Sequence, residues 1–122
     1  MKYACLYSIV RFAPFAATEE FANVGIVLSA PAIGRMEYRL ARKKLKRVNH
    51  FFECNNLFAK AMEIAQSELD AVRAMTTEAQ ESQIVNHFRF LTEPKESLIR
   101  FSPMRSILVE NFDATLNELF GR

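Results

Sequence analysis

The strongest chemical signal in the sequence is a run of positive charge. Five of the six residues from Arg42 to Arg47 are Lys or Arg. Between Arg35 and His50, seven basic residues stand against one acid, Glu37, while the other residues of the chain include nine basic and thirteen acidic ones. Charges placed this close together repel one another unless solvent or a partner screens them. The chain is therefore polarised into one basic segment and an acidic remainder.

Three roles are compatible with this basic run. On a sheet edge, solvated charges discourage aggregation and need no partner. An acidic protein surface would be steered towards the run, and a nucleic-acid backbone would release counterions on binding it. No aromatic residue is interleaved within the run, although Phe51 and Phe52 follow it, and stacking of bases depends on such residues. We therefore predict docking on a protein partner, with a nucleic-acid-binding module that uses the same 39–47 segment as the alternative. The residues predicted to carry the binding are Arg39, Arg42, Lys43, Lys44, Lys46 and Arg47.

The sequence offers little for catalysis or metal binding. His50 and His87 are the only imidazoles, and neither belongs to a nucleophile motif. With Cys5 and Cys54 they make up a numerical set of two cysteines and two histidines, but the close ligand pairs of zinc modules are absent. Three scattered glycines cannot build a phosphate-binding loop. We predict a protein that is not an enzyme and that carries no cofactor or metal.

The cysteines also bear on the cellular compartment. Cys5 and Cys54 lie among apolar residues, as reduced core thiols do, and two cysteines make no disulfide framework. No apolar run approaches the roughly 20 residues of a membrane span. The residues Met1–Ser8 alternate as in a strand and do not match a signal peptide. We predict a cytoplasmic protein.

The elements that would position the basic segment begin with three strands. Apolar residues alternate over Tyr3–Phe12, Glu20–Leu28 and Met36–Ala41, which predicts an antiparallel meander. Both faces of the first strand are largely apolar, which fits a strand covered on both sides. Gly25 inside the second strand indicates a bulge or the close approach of another backbone. One face of the second strand is predicted to consist of Ala22, Val24, Ile26 and Leu28.

Helical periodicity begins near Asn56. Thr77 and Gln80 have the spacing of a capping box and predict the start of a second helix. Asn111 or Asp113 would cap a short final helix. The predicted buried stripe of the first helix is Phe58, Ala61, Met62, Ala65, Leu69 and Val72.

Between the second and final helices the chain returns to β structure. Ser97–Phe101 and Met104–Val109 alternate as strands and are interrupted at Ser102-Pro103. The resulting order is βββααβα. We predict a single α+β domain over residues 1–122, with a mainly antiparallel sheet and the helices packed on one face of it.

Arg11 and Asn23 are polar residues on strands whose neighbours are apolar. A buried arginine needs a carboxylate or carbonyl partner, and Glu20 could supply one in a hairpin. The two residues are therefore either a polar latch that sets the hairpin register or weaker candidates for a binding site.

Two motifs carry a resemblance to a known family. Tyr7–Pro14 follows the pattern Tyr-Ser-x-x-Arg-Phe/Tyr-x-Pro, and Glu20–Leu28 contains Glu-Phe-x-Asn-Val-Gly-x-x-Leu. On these residues the chain resembles a bacterial family known as domain of unknown function 3037. The likeness extends to the arginine-rich segment and to Leu98–Phe120, although residues 111–114 lack the family's acidic-proline helix start. The resemblance implies an accessory protein in a kinase-linked toxin–antitoxin setting, and a phage inhibitor of a host defence system would share these features.

Overall fold

The computed structural model describes residues 1–13, 21–41, 55–77, 79–92 and 98–121. The order of elements over these residues confirms the predicted α+β class, with the late strand divided in two. The elements are β1 (Tyr3–Phe12), β2 (Ala22–Ala30), a 3-10 turn (Pro31–Ile33), β3 (Arg35–Leu40), α1 (Asn55–Thr77), α2 (Glu81–Leu91), β4 (Ile99–Phe101), β5 (Arg105–Val109) and α3 (Phe112–Phe120).

β1 is the central strand of the sheet. Within the described residues the sheet has five antiparallel strands in the order β3-β2-β1-β4, and β5 also pairs with β1. β4 pairs with Val10–Phe12 and β5 with Tyr3–Tyr7, so these two short strands share one side of β1. The predicted meander of the first three strands is confirmed.

Ser102 bridges the interruption between β4 and β5. Its backbone N–H donates to the carbonyl of Ile9 at 2.9 Å, and its Oγ accepts from the N–H of Ile9 at 2.8 Å. The buried hydroxyl of Ser8 donates to the Ser102 carbonyl at 2.6 Å. Pro103 has no N–H to donate, so these contacts keep the late strand on β1 past the break.

The two long helices cover one face of the sheet, here called the helix-covered face. α1 and α2 bury the predicted apolar stripe against even-numbered residues of β1, and Phe12 meets Phe58 edge to face with ring centroids 5.2 Å apart. No helix in the described part of the chain combines the length and hydrophobicity of a membrane span. The buried cluster on this face consists of Val10, Phe12, Ala22, Val24, Val27, Met36, Phe58, Ala61, Met62, Ala65, Leu69, Phe88, Leu91 and Ile99.

The position of α3 corrects one detail of the predicted arrangement. Phe112 and Leu116 pack with Cys5, Ile26 and Leu28 in a second cluster. Successive strand residues point to opposite faces, so α3 lies on the opposite face from α1 and α2. The expectation that all helices share one face was wrong for α3. The apolar odd-numbered residues of β1 explain the difference, because they need a cover of their own.

Gly25 marks a bulge, as predicted, and the bulge corrects the predicted face of β2. Val10 pairs with Gly25 but Arg11 pairs with Asn23, so one residue of β2 is extra. Because of that residue, Ala22 and Val24 belong to the helix-covered cluster, whereas Ile26 and Leu28 belong to the cluster beneath α3. The four residues predicted to share one face are therefore divided between the two faces.

The helix termini differ partly from the prediction. Thr77 is the last residue of α1. The capping box at the start of α2 is formed instead by Gln80 and Gln83, and the Gln80 N–H donates to Oε1 of Gln83 at 3.0 Å. The predicted capping box at Thr77 was wrong, since a separation of three residues does not by itself say which helix a polar residue ends or begins. Asn111 caps α3 as predicted, with Oδ1 accepting from Ala114 N at 3.0 Å.

Candidate functional site

Arg100, Arg11 and Asn23 lie side by side on three adjacent strands. Arg11 of β1 pairs with Asn23 of β2 on one side and with Arg100 of β4 on the other. Neighbouring strands are about 4.8 Å apart, so the backbones of Arg100 and Asn23 are separated by about 10 Å. The sheet thus brings two residues from different sequence motifs next to a third from the C-terminal region.

These three residues lie on the face opposite α1 and α2. Val10 and Phe12 flank Arg11 and point into the helix-covered cluster, as Ile99 does beside Arg100. Arg11 and Arg100 alternate with these residues along their strands, so their side chains point to the opposite face of the sheet. Among the described helices, α3 covers this face at the Tyr3–Tyr7 end of β1, away from Arg11.

Arg39 of β3 lies on the same face of the sheet as Arg11 and Arg100. It pairs with Ile26, whose side chain belongs to the cluster beneath α3. Ile26 in turn pairs with Ile9, one same-face position from Arg11. The guanidinium of Arg39 donates to the Tyr38 carbonyl at 3.1 Å, which covers one backbone acceptor of β3. We call Arg11, Arg39 and Arg100 the arginine patch.

Phe21 fixes the orientation of Arg11. The guanidinium carbon of Arg11 lies 4.3 Å from the Phe21 ring centroid, and the ring is 49% exposed. The Nε of Arg11 is buried and makes no hydrogen bond to any described residue. The Phe21 ring thus stacks on the guanidinium of Arg11 and restricts its orientation.

Arg35 and Arg73 have different roles from the patch. Arg35 pairs with Asp113 at 2.7 Å and lies over the Phe112 ring at 4.3 Å, which fastens α3 to β3. The hydrogen bond from Arg35 lowers the pKa of Asp113. Arg73 donates to Glu37 at 3.2 Å and to Asp70 at 3.0 Å. Arg11 and Arg39, by contrast, form no ion pair with an acid of the described ranges.

The basic run itself lies outside the described residues. Of the six predicted binding residues only Arg39 is described, and Arg42, Lys43, Lys44, Lys46 and Arg47 are not. Glu20, which could supply a partner for Arg11, and two members of the dispersed cysteine and histidine set, His50 and Cys54, also lie outside. Arg11 and Asn23 are brought together as cross-strand neighbours, which fits both the latch and the binding interpretation.

Sequence reasoning missed Arg100. Its alternation with Ile99 and Phe101 was a signal that Arg100 points away from the core. No pattern in the sequence shows that Arg100 pairs with Arg11, because that contact joins residues 89 positions apart and depends on the register of β4.

A groove of about 800 Å³ lies between β3 and α1. Its polar wall is an interaction network in which Tyr38 donates a short hydrogen bond to Asp70 and Arg73 lies over the Tyr38 ring at 5.3 Å. Arg73 binds both Asp70 and Glu37, so each of these carboxylates already has a cationic partner. The network holds α1 against β3.

The remaining candidates for chemistry are dispersed. Cys5 is a buried free thiol, and burial raises its pKa to about 11, which disfavours the reactive thiolate at neutral pH. His87 lies on α2, and its buried Nδ1 has no hydrogen-bond partner among the described residues. The described ranges contain no group of three metal-binding side chains.

We expect the folded state to lose stability at alkaline pH as Tyr38 ionises. Burial, together with the hydrogen bond to Asp70, raises the pKa of Tyr38 from 10.0 to about 12. The folded state therefore holds this proton more tightly than the unfolded state. Its stabilising contribution is complete below pH 10 and is lost as the pH rises towards 12. Between pH 10 and pH 12, the free energy of unfolding measured in urea should fall less steeply for the Tyr38→Phe variant than for the wild type.

Cys5 provides an internal reference for this measurement. Its pKa of about 11 makes it titrate over part of the same window in both proteins, so the difference between them isolates Tyr38. Equal slopes of unfolding free energy against pH would show that Tyr38 is not held protonated by the fold.

The fold and the patch define the class of protein. It is a small α+β protein whose sheet carries polar residues at one end of one face. The family model described as "Protein of unknown function (DUF3037)" matches residues 7–122. The chain belongs to this family, which confirms the resemblance of the two N-terminal motifs. No curated protein matches the chain, and no solved structure matches it either.

Proposed function

We propose that this chain is a non-enzymatic docking protein that binds an acidic surface of a protein partner. The observation that carries the proposal is the position of Arg39. It lies at the end of β3, directly before the basic run in the chain, and on the same sheet face as Arg11 and Arg100. Arg11, Arg39 and Arg100, from three strands, thus lie on one face of the sheet, and Arg39 is followed in the sequence by the basic run.

The other arginines of the sheet region support this assignment. Arg35 and Arg73 are used to hold helices, each through an ion pair with an acidic residue. Arg11 and Arg39 have no such pair within the described residues and are partly buried. Partly buried charges are less screened than fully exposed ones, so an acidic partner would gain more from them.

The proposed setting is the bacterial cytoplasm. A buried reduced Cys5 fits a reducing compartment. The accessory or inhibitory role, in a kinase-linked toxin–antitoxin or phage and host-defence context, follows from the family resemblance alone and is proposed on that basis.

Affinity capture from host extract with nuclease treatment tests the function. The wild-type chain should retain a partner that also rebinds after purification, and two charge-reversed variants should lose it. These variants are Arg39→Glu alone and the triple change of Lys43, Lys44 and Lys46 to Glu. The expected loss is about tenfold or more in affinity, with a strong dependence on salt.

The control variants reverse charge on the outer surface of the helices. Lys60 of α1 and Arg89 of α2 are both exposed, and Lys60→Glu and Arg89→Glu should keep the partner. Loss of the partner in these controls but not in Arg39→Glu would contradict the proposal. Recovery of nuclease-sensitive material only would replace it with the nucleic-acid alternative.

A further inference from the structure

β5 has one backbone edge with which no described strand pairs. Both backbone groups of Ile9 make hydrogen bonds on the side of β1 that carries β4 and β5. Alternate residues of a strand direct their N–H and C=O groups to the same side, so Cys5 directs its groups to its partner Ile107. Ser106 and Leu108 then direct theirs away from β1. Within the described ranges no hydrogen bond reaches these outward groups.

This edge lacks the features that keep exposed strands apart. Natural edge strands carry charged residues or prolines, or are covered by another segment. On β3, at the other edge of the sheet, the Arg39 guanidinium covers the Tyr38 carbonyl at 3.1 Å. In β5, residues 106–109 are neither charged nor proline, and Leu108 is 68% exposed. The β5 edge is therefore suited to pairing with another strand.

We propose that two copies of this chain form a dimer by antiparallel pairing of β5 with β5 of the second copy. A two-fold axis beside Ile107 places Ser106 of each copy opposite Leu108 of the other. Because Ser106 and Leu108 have the outward backbone groups, both pairs exchange N–H···O=C hydrogen bonds in this register. The two sheets become one continuous sheet across the dimer. Dimerisation through β5 does not depend on the proposed docking function.

The charges at the two ends of β5 make this edge complementary to itself. In the proposed register Arg105 lies opposite Val109 of the second copy, one residue from Glu110 of that copy. Strand spacing and rise place the Cα atoms of Arg105 and that Glu110 about 6 Å apart, within reach of their side chains. Neither residue forms an ion pair with the described residues. The two-fold axis creates the contact twice, which favours a second copy as the occupant of the edge.

The same register adds apolar contacts on both faces of the sheet. Leu108 packs over the small Ser106 side chain of the second copy, which reduces its exposure to water. The Ile107 residues of the two copies form a non-hydrogen-bonded pair with Cα atoms about 4.5 Å apart. Ile107 already packs against the cluster beneath α3. The pair therefore joins the two clusters across the axis.

Sedimentation velocity of the purified full chain, over about a hundredfold range of concentration, tests the pairing. We expect the wild type to change from monomer to dimer as the concentration rises. Leu108→Lys places a charge on the edge, and Ser106→Pro removes an N–H that the β1 ladder does not use. Each should weaken association about tenfold or more. Ile64→Lys, at an α1 residue that is 63% exposed, should leave association unchanged.

The variants Arg105→Glu and Glu110→Arg test the register. Each change alone places like charges beside each other at both ends of the interface, and we expect it to weaken self-association about fivefold. Mixed in equal amounts, the two variants should associate as tightly as the wild type. Each chain in the mixture supplies the charge that the other needs.

Four results would overturn the proposal. They are a wild type that stays monomeric over the whole range, a dimer that Leu108→Lys and Ser106→Pro leave intact, an equal loss in Ile64→Lys, or a mixture that associates no better than the separate variants. Thermal unfolding of each variant identifies any that fails to fold. If the wild type is monomeric and Leu108→Lys loses a partner captured from host extract, the edge binds a strand of that partner and not a second copy.

Discussion

Replacing Gly25 with alanine lowers the free energy of unfolding by about 3 kcal/mol, which lowers the melting temperature by about 10 °C in a domain of this size. A Cβ at Gly25 would lie 2.5 Å from the backbone oxygen of Arg39 and 2.6 Å from Cδ2 of Leu40. Backbone on a neighbouring strand cannot move aside without opening the β2–β3 ladder. Thermal and urea unfolding of Gly25→Ala measure the effect.

Gly121 is the matched control for this substitution. It has a right-handed helical conformation at the end of α3, and its nearest neighbours to an added Cβ are the Asn117 and Glu118 oxygens at 3.4 and 3.6 Å. We expect Gly121→Ala to change the unfolding free energy by less than about 0.5 kcal/mol. Equal stability of the two variants would mean that β3 does not approach Gly25 as closely as described.

Truncating Phe12 to alanine costs about 4 kcal/mol of unfolding free energy. Phe12 is fully buried, and its ring contacts the Phe58 ring of α1 in an edge-to-face geometry. The change removes both the transfer energy of the ring and the packing between sheet and helix. Urea denaturation gives the value directly.

Phe120 of α3 is the control for Phe12. Its side chain is 42% exposed, so Phe120→Ala should cost well under half as much as Phe12→Ala. A similar cost at both positions would place the structural core elsewhere than between β1 and α1.

Arg11 and Phe12 are adjacent in β1 but lie on opposite faces of the sheet. Phe12 points into the helix-covered cluster, while Arg11 points to the opposite face beside Arg100. Substitutions at Phe12 should therefore act on folding and substitutions at Arg11 on binding. A melting temperature measured beside each binding constant separates the two effects.

Much of the fold could be predicted because its signals are local. Alternation located β1 over the same residues that the structure assigns, and the 3.6-residue period identified the buried stripe of α1. Gly25 was correctly predicted as a bulge or close approach, because a strand interior rarely has another reason for glycine. The consequence of the bulge was not predicted, since one extra residue exchanges the two faces of the strand beyond it.

The position of α3 and the neighbour of Arg11 needed tertiary information. The amphipathic pattern of α3 shows that Phe112 and Leu116 are buried but does not say on which side of the sheet. Likewise, the alternation around Arg100 indicates its face but not its partner. Arg39, Arg11 and Asn23 were candidates from the sequence because charge and polarity stand out locally. The position of Arg100 beside Arg11 follows only from the register of β4 with β1, which the structure gives.

Photo-cross-linking from Phe21 tests the docking surface most directly. Phe21 lies against Arg11 and is 49% exposed, and Phe90 on α2 is 69% exposed on the other side of the molecule. A benzophenone amino acid is placed at one position or the other, and the captured partner is added before irradiation. We expect a cross-linked product from position 21 and none from position 90. A product from position 90 with none from position 21 would contradict it, since the partner would then bind the helices and not the arginine patch.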